Sequence, residues 1–309
     1  MADTATEPQA PSPPDPAAAE PPVSLDAPRR SRQRAVRLRA ATLAAARRPG
    51  LVLAVVVLLL MLAWALTPGV FAARGPLTVD PSHALEPPGS GAWFGTDYLG
   101  RDIYSRVVYG ASLSLRAPVI AVGLALFSGT AIGVAAGTLG GWIDALLMRL
   151  VDVLLAIPSI LVSLAVVTAL GSGTVNIAFA VGLAGVAGFA RVSRAQVLAV
   201  NREPYVEAAY AAGVRRPAVV FAHVLPNAAG PVLALAALEL GTAILSVSAL
   251  SFLGFGAQPP TPEWGQMVSE GQNYLATAWW LTAMPGLAIA AVALSVNRLA
   301  RAITRGRLV

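Results

Sequence analysis

Residues with a regular, potentially functional spacing are concentrated between positions 204 and 227. Pro204 suits the first turn of a helix, where its missing N–H is not needed, and the helix dipole favours an acid such as Glu207 near that end. Gly213 can end this helix in a left-handed conformation, while Pro217 can open a second helix that Pro226 limits. The segment therefore predicts a helix, a glycine turn and a short helix, a pair that requires a partner. Its spaced residues are Glu207, Ala208, Ala209, Gly213, Arg215, Arg216, His223, Pro226 and Asn227.

The sequence contains no residue pattern typical of an enzyme active site. The chain has no cysteine, so thiolate catalysis and thiolate metal sites are excluded. All 22 basic residues are arginine. A phosphate-binding P-loop needs a lysine, so any ATP hydrolysis must occur on another subunit. Two histidines and no paired-carboxylate or Ser/His/Asp pattern lead us to expect no enzyme site, no metal site and no bound cofactor.

Two charged sites lie within apolar stretches. Glu239 is in the middle of one, where a charge costs at least about 2.5 kcal/mol. A role in a solute pathway and a plain hydrogen bond between helices are both open for it. Arg149 and Asp152 lie three residues apart on one predicted helix and are expected to form an ion pair.

The composition is typical of a membrane protein. Of 309 residues, 56% are hydrophobic and 12% charged, and the mean hydropathy is +0.67; soluble domains carry about 25% charged residues. Glycines repeat every four residues from Gly129 to Gly137, which favours closely packed helices. We predict an all-α membrane protein with six transmembrane helices, at about 51–71, 115–139, 146–170, 175–195, 231–253 and 279–299.

The arginines predict the orientation. With the N-terminus inside, 18 arginines lie on the cytoplasmic side and four on the outer side, as the positive-inside rule requires. We expect a multi-pass protein of the cytoplasmic membrane with both termini in the cytoplasm. The net charge of +6 comes from arginines that flank the predicted spans. We therefore expect contact with membrane lipid and no binding of nucleic acid.

Four regions follow from these patterns. Residues 1–50 are expected to be a disordered proline-rich, then arginine-rich cytoplasmic tail. Residues 51–111 hold the first span and an outer loop, and residues 112–302 hold the transmembrane core with a cytoplasmic loop at 196–230. Residues 303–309 form a cytoplasmic tail.

The 204–227 segment resembles a known motif. Glu207-Ala208-Ala209, Gly213 and the later His, Pro and Asn are similar to the EAA loop of binding-protein-dependent ABC importers. In that family the loop is the coupling helix that fits a cleft on the ATPase. The resemblance implies that Glu207, Ala208, Ala209, Gly213, Arg215 and Arg216 couple to the ATPase, and that His223, Pro226 and Asn227 shape the loop.

Two other segments, 94–106 and 250–265, resemble the outer-face signature of the C-type subunit of the dipeptide and oligopeptide (peptide/nickel) permeases. Where that family often has a Glu, this chain has Val247. The signature residues are Gly95, Thr96, Asp97, Gly100, Arg101, Asp102, Pro259, Pro260, Glu263 and Trp264.

The resemblance implies a type I ABC importer permease fold and a set of partners. These are a second homologous permease, two ATP-binding subunits that hold ATP and Mg, and an extracytoplasmic solute-binding protein that docks on outer loops including 93–112 and 254–277. Peptide import is the expected function. Import of nickel or another small solute, a stand-alone channel or proton-coupled carrier that uses Glu239, and a scaffold or exporter subunit are the alternatives.

Overall fold

The computed structural model describes residues 49–304. The predicted proline- and arginine-rich tail, apart from its last two residues, and the last five residues of the C-terminal tail lie outside this range. Within it the chain is helical, with no strand beyond an isolated bridge between Thr96 and Asp102. The helices of eight or more residues are α1 Pro49–Leu66, α2 Ile103–Leu139, α3 Gly141–Ala156, α4 Ser159–Leu170, α5 Thr174–Val200, α6 Pro204–Ala211, α7 Leu225–Leu250, α8 Trp264–Gly271 and α9 Trp280–Thr304.

The described chain contains five helical stretches long and apolar enough to cross a membrane: α1, α2, α5, α9 and the stretch Arg216–Phe255 that includes α7. The pair α3 and α4 supplies a sixth if it is counted as one span. This agrees with the six predicted spans. The predicted continuous helix over 146–170 is wrong, because α3 and α4 meet at a bend of 94°.

Pro158 accounts for this bend. The residue before a proline is pushed out of the helical region, and Ile157 accordingly has extended backbone angles (φ −100°, ψ 132°). Despite the bend, the pair follows α5 from end to end. Asp144 near the start of α3 is bonded to Arg194 near the end of α5, and Leu170 at the end of α4 accepts a hydrogen bond from Asn176 at the start of α5.

The helix α2 begins well before the predicted span, at Ile103 rather than near residue 115. Asp102 caps it, since its Oδ2 accepts from the Ser105 N–H at 2.9 Å. Such a cap satisfies an N–H group that the helix itself leaves unpaired. Part of the predicted outer loop is therefore the first turns of α2.

Glycines hold α2 and α5 together, as predicted from their spacing. A Cβ on Gly133 would lie 2.5 Å from the Ala190 carbonyl oxygen, and one on Gly137 would lie 2.7 Å from a Val197 methyl group. Small residues let helix backbones approach closely in a membrane. The two longest helices of the core are thus packed side by side.

The bundle has two ends. The C-terminal ends of α2 and α5 meet at one, where the Asn201 side chain donates to the Gly137 carbonyl at 3.5 Å. Their N-terminal ends lie at the other, where the Gly173 N–H donates to the Phe255 carbonyl at 2.7 Å. We call the first the hairpin end, because it carries residues 204–219.

Candidate functional site

The hairpin, residues 204–219, has the geometry that its sequence predicts. Pro204 opens α6, Glu207 lies in its first turn, and Gly213 follows it with φ +80°. The Gly213 N–H donates to the Tyr210 carbonyl at 3.0 Å and closes the turn. Glycine adopts this left-handed conformation without the steric cost that other residues meet.

One side of the hairpin is fixed to the bundle. Val206 in α6 and Val219 are both fully buried, and they pack with Val197 of α5 and with Val224. Ala209 is half-buried on the same apolar cluster. The other side is open to a partner: Glu207, Ala208, Gly213, Arg215 and Arg216 are all exposed.

The second half of the hairpin differs from the prediction. Pro226 does not limit a short helix. The turn Arg216–Val219 continues through a wider π turn, Val220–Val224, into α7. The Leu225 N–H donates to the Val220 carbonyl there, so the proline, which lacks an N–H, lies in the first turn of α7, where none is needed. The last four residues of the hairpin and α7 consequently belong to one helical stretch, Arg216–Phe255.

His223 and Asn227 fix this junction. The Asn227 side chain donates to the His223 carbonyl at 2.6 Å. The His223 ring meets the edge of Tyr205 on α6, with centroids 6.4 Å apart. Both contacts are local to the junction between the hairpin and α7.

At the opposite end, two signature residues, Asp97 and Arg101, form a buried charge cluster with Arg106 and Glu270. Arg101 Nε lies 2.6 Å from Asp97 Oδ2, and Arg106 Nη2 lies 3.2 Å from Glu270 Oε2. The two arginine side chains are only 4% and 1% exposed. Two positive and two negative charges balance, which buried ions require. The cluster joins the 97–101 segment to α2 and α8.

Sequence reasoning did not include Arg106 or Glu270 among the site residues. The sequence does show that Glu270 is a candidate partner for an arginine, because Glu263 and Glu270 are the two acids in residues 254–278. Nothing in the sequence showed that the second acid would face the arginines across 164 residues of chain.

The other signature residues shape the backbone around this cluster. Gly95 and Gly100 have φ of +75° and +74°, and a Cβ on Gly100 would meet the Asp80 carbonyl. The Thr96 carbonyl accepts from the Trp280 indole at 3.0 Å, which ties the segment to α9.

Glu263 and Trp264 are buried at the start of α8. The Glu263 carboxylate accepts from two backbone N–H groups of the first turn, at 3.0 and 3.1 Å, and from the Ser114 hydroxyl. Burial raises the pKa of this carboxyl, while these hydrogen bonds oppose the shift. The Trp264 indole donates to the Val107 carbonyl at 2.8 Å. Both residues fix α8 on α2.

Most of the signature side chains are buried inside the chain. Asp97, Arg101 and Asp102 are buried within the chain, as are Thr96, Glu263 and Trp264, so their side chains cannot contact a docked protein in this conformation. Pro259 and Pro260, joined by a cis peptide bond, are exposed.

Glu239 lies on α7 beside a small cavity between α2, α4, α5 and α7. The cavity has a volume of about 50 Å³. Glu239 is half-buried, and no charged or hydrogen-bonding group of the described residues acts on its carboxyl. The hydroxyl-bearing residues that line the same cavity are Ser159, Ser163, Thr242 and Ser246.

The predicted ion pair between Arg149 and Asp152 is wrong. Asp152 is paired with Arg191, and Asp144 with Arg194, whose Nη2 lies 2.6 Å from Asp144 Oδ2. Both bonds join α3 to α5. Asp152 thus pairs with an arginine on a neighbouring helix and not with Arg149, three positions away on its own helix.

Among residues 49–304, no group of three His, Cys, Asp or Glu side chains is placed to hold a metal ion.

Comparison with known proteins identifies the family. The family described as binding-protein-dependent transport system inner membrane component matches residues 129–308. The dipeptide transport system permease protein DppC of Alkalihalophilus pseudofirmus is 44% identical over 71% of this chain and 72% of its own length. The probable D,D-dipeptide transport system permease protein DdpC of Escherichia coli is 38% identical over 79% of this chain and 82% of its own length.

Two solved structures share the fold. A crystal structure of an amino acid ABC transporter with histidines has a TM-score of 0.52 at 16% identity, covering 66% of this chain and 94% of that one. An inward-facing structure of the MetNI methionine ABC transporter has a TM-score of 0.50 at 17% identity, covering 65% and 97%. The chain thus has the type I ABC importer permease fold. It belongs to the family of inner membrane components of binding-protein-dependent transport systems, and is a transport subunit, not an enzyme.

Proposed function

We propose that this membrane component imports peptides and is driven by ATP-binding subunits that dock on its hairpin. The observation that carries the proposal is the two-sided hairpin. Its apolar side is fixed on the bundle through Val206 and Val219, while the Glu207-Ala208 side is exposed. A short helix that is anchored on one side and open on the other suits a docking element.

The coupling step follows from the continuity of the hairpin with α7. A force on residues 216–219 acts on the same helical stretch that reaches Phe255 near the opposite end. Closure of the ATP-binding subunits would therefore tilt α7 against α2 and α5. Only a difference in ATP affinity between the two arrangements of the bundle can drive this change.

The proposed assembly contains a second homologous permease, two ATP-binding subunits that bind ATP and Mg, and an extracytoplasmic solute-binding protein. The arginine distribution favours N- and C-termini in the cytoplasm, and the hairpin would then lie on the ATPase side. The solute-binding protein would then dock at the opposite end. Exposed residues there include Trp93, Leu99, Pro259 and Pro260.

Peptide is the proposed solute because the relatives named above are dipeptide and D,D-dipeptide permeases. A glutathione permease of Pectobacterium atrosepticum, GsiD, is 39% identical over 69% of this chain. These names favour a short peptide over nickel. A stand-alone channel or carrier does not need a docking hairpin.

Reconstitution tests the proposal. The complete complex in proteoliposomes should accumulate labelled Ala-Ala only with ATP, the ATP-binding subunits and the solute-binding protein all present. Omission of the ATP-binding subunits is the control. Uptake that persists without ATP would support the channel or carrier instead.

A further inference from the structure

The cavity beside Glu239 contains features that the coupling mechanism does not use. Glu239 lies 11 residues before Leu250, the end of α7, which is about 16 Å along the helix. An ionisable residue at such depth is costly and normally has a partner. Among the described residues none provides one.

The wall of the cavity is polar on two sides. Ser159 and Ser163 come from α4, and Thr242 and Ser246 from the same helix as Glu239. The Ser163 hydroxyl already donates to the Ser159 carbonyl at 2.9 Å, so its oxygen lone pairs are left to accept. Glu239 is the one ionisable residue of this lining. The cavity therefore presents one ionisable carboxyl group and several hydrogen-bond acceptors.

This arrangement suits a small cation that donates hydrogen bonds. A primary ammonium group has three N–H donors and a single charge, and a charge-assisted bond to a carboxylate is stronger than a neutral one. The cavity volume of about 50 Å³ exceeds the roughly 10–15 Å³ that a cavity needs to hold one water. It can accept an ammonium head group but not a whole solute.

We infer that the Glu239 cavity is a transient binding site for the amino-terminal ammonium group of the transported solute. Glu239 supplies the countercharge, and the hydroxyls of Ser159, Ser163 and Ser246 accept hydrogen bonds. This inference rests on the proposed import function. It specifies the chemical class of the solute, which is a molecule with a free amino terminus.

The position of the cavity fits transient binding. Glu239 and Ser246 lie on α7, which is continuous with the last four residues of the hairpin, whereas Ser159 and Ser163 lie on α4 beyond the bend at Pro158. Movement of α7 would separate the carboxylate from the serines of α4. The site would then form in one arrangement of the bundle and open in the other, which releases the solute.

The test compares two solutes in the complete reconstituted complex. One is Ala-Ala, and the other is lactoyl-alanine, in which a hydroxyl replaces the ammonium group. Each is supplied at a concentration that saturates the solute-binding protein. Glu239→Gln should lower the maximal uptake rate of Ala-Ala about tenfold and change that of lactoyl-alanine by less than about twofold. Glu239→Asp, which keeps the carboxylate, should restore part of the preference for Ala-Ala over lactoyl-alanine.

Thr168→Val is the matched control. Thr168 lies on α4, is exposed and bonds only to the Leu164 carbonyl, so both uptake rates should stay unchanged. Equal loss of both uptake rates in Glu239→Gln, or an unchanged preference, would overturn the inference. Should Glu239→Gln not assemble, Ser246→Ala must show the same selective loss. Failure of wild-type ATP-driven uptake would instead refute the proposed function.

Discussion

Gly213 is the residue on which the shape of the hairpin depends. Its φ is +80°, and no atom lies within 4 Å of where a Cβ would be. A substitution there therefore strains the backbone without a steric clash. The consequences of a change at this position should come from the turn alone.

We predict that Gly213→Val uncouples ATP hydrolysis from uptake, because a β-branched residue is a genuine outlier in this conformation. Gly213→Asn is the matched control, since asparagine visits the left-handed region readily. Solute-stimulated ATPase and uptake, measured in proteoliposomes, should fall strongly in Gly213→Val and little in Gly213→Asn. Equal behaviour of the two variants would show that the conformation of the turn is unimportant.

The buried cluster at the opposite end allows a second prediction. Arg106 is 1% exposed and bonded to Glu270, whereas Arg191 and its partner Asp152 are 58% and 59% exposed. Removing one member of a buried pair leaves an uncompensated charge and costs about 3–5 kcal/mol. An exposed pair contributes about 0–1 kcal/mol.

Arg106→Gln should therefore lower the Tm of the detergent-solubilised protein by many degrees, and Arg191→Gln should hardly change it. Thermal unfolding of both variants under identical conditions measures the difference. Similar Tm values for the two would contradict the structural importance of the buried cluster.

At the residue level, the sequence predicted local features better than distant ones. The turn at Gly213 depends on backbone conformations within a few residues, and it was predicted correctly. The pairing of Asp152 with Arg191, and of Arg106 with Glu270, depends on which helices become neighbours. Sequence spacing along one helix contains no information about that choice.

At the level of elements, the close contact between α2 and α5 depends on glycine. A Cβ on Gly133 would lie 2.5 Å from a carbonyl oxygen of α5, whereas one on Gly123, in the same helix, would have no atom within 4 Å. Replacing glycine by alanine therefore adds the same methyl group at a crowded position and at an open one.

Gly133→Ala should destabilise the bundle by about 1–3 kcal/mol, because overpacking forces the helices apart. Gly123→Ala should be neutral or slightly stabilising, since alanine favours helix over glycine. Thermal stability in detergent distinguishes them. Equal stability of both variants would mean that α2 and α5 are not in close contact.

Helix existence was predicted well, and helix ends were not. Apolar length and the glycine repeat are properties of the segment itself, so the six spans and the close packing followed from them. The start of α2 depends on the Asp102 cap, which lies in a segment interpreted as loop. Pro158 and Pro226 had opposite effects: the first bends a span by 94°, and the second is accommodated after a π turn.

At the level of the whole molecule, the chain connects two ends through one long helical stretch. The hairpin is anchored at one end and the buried charge cluster stiffens the other, with the Glu239 cavity between them. An importer needs such a connection, because ATP is used on one side and solute arrives from the other. The central claim is therefore that the hairpin contacts an ATP-binding subunit.

Site-specific photo-cross-linking tests this claim most directly, and the chain has no cysteine to interfere. A benzophenone maleimide attached to Ala208→Cys, on the exposed side of α6, should cross-link to an ATP-binding subunit in native membranes. The same label on Leu275→Cys, exposed at the opposite end, should not. A complex in which Ala208→Cys yields no such product, or reacts with a membrane-impermeant thiol reagent added outside intact cells, would contradict the account.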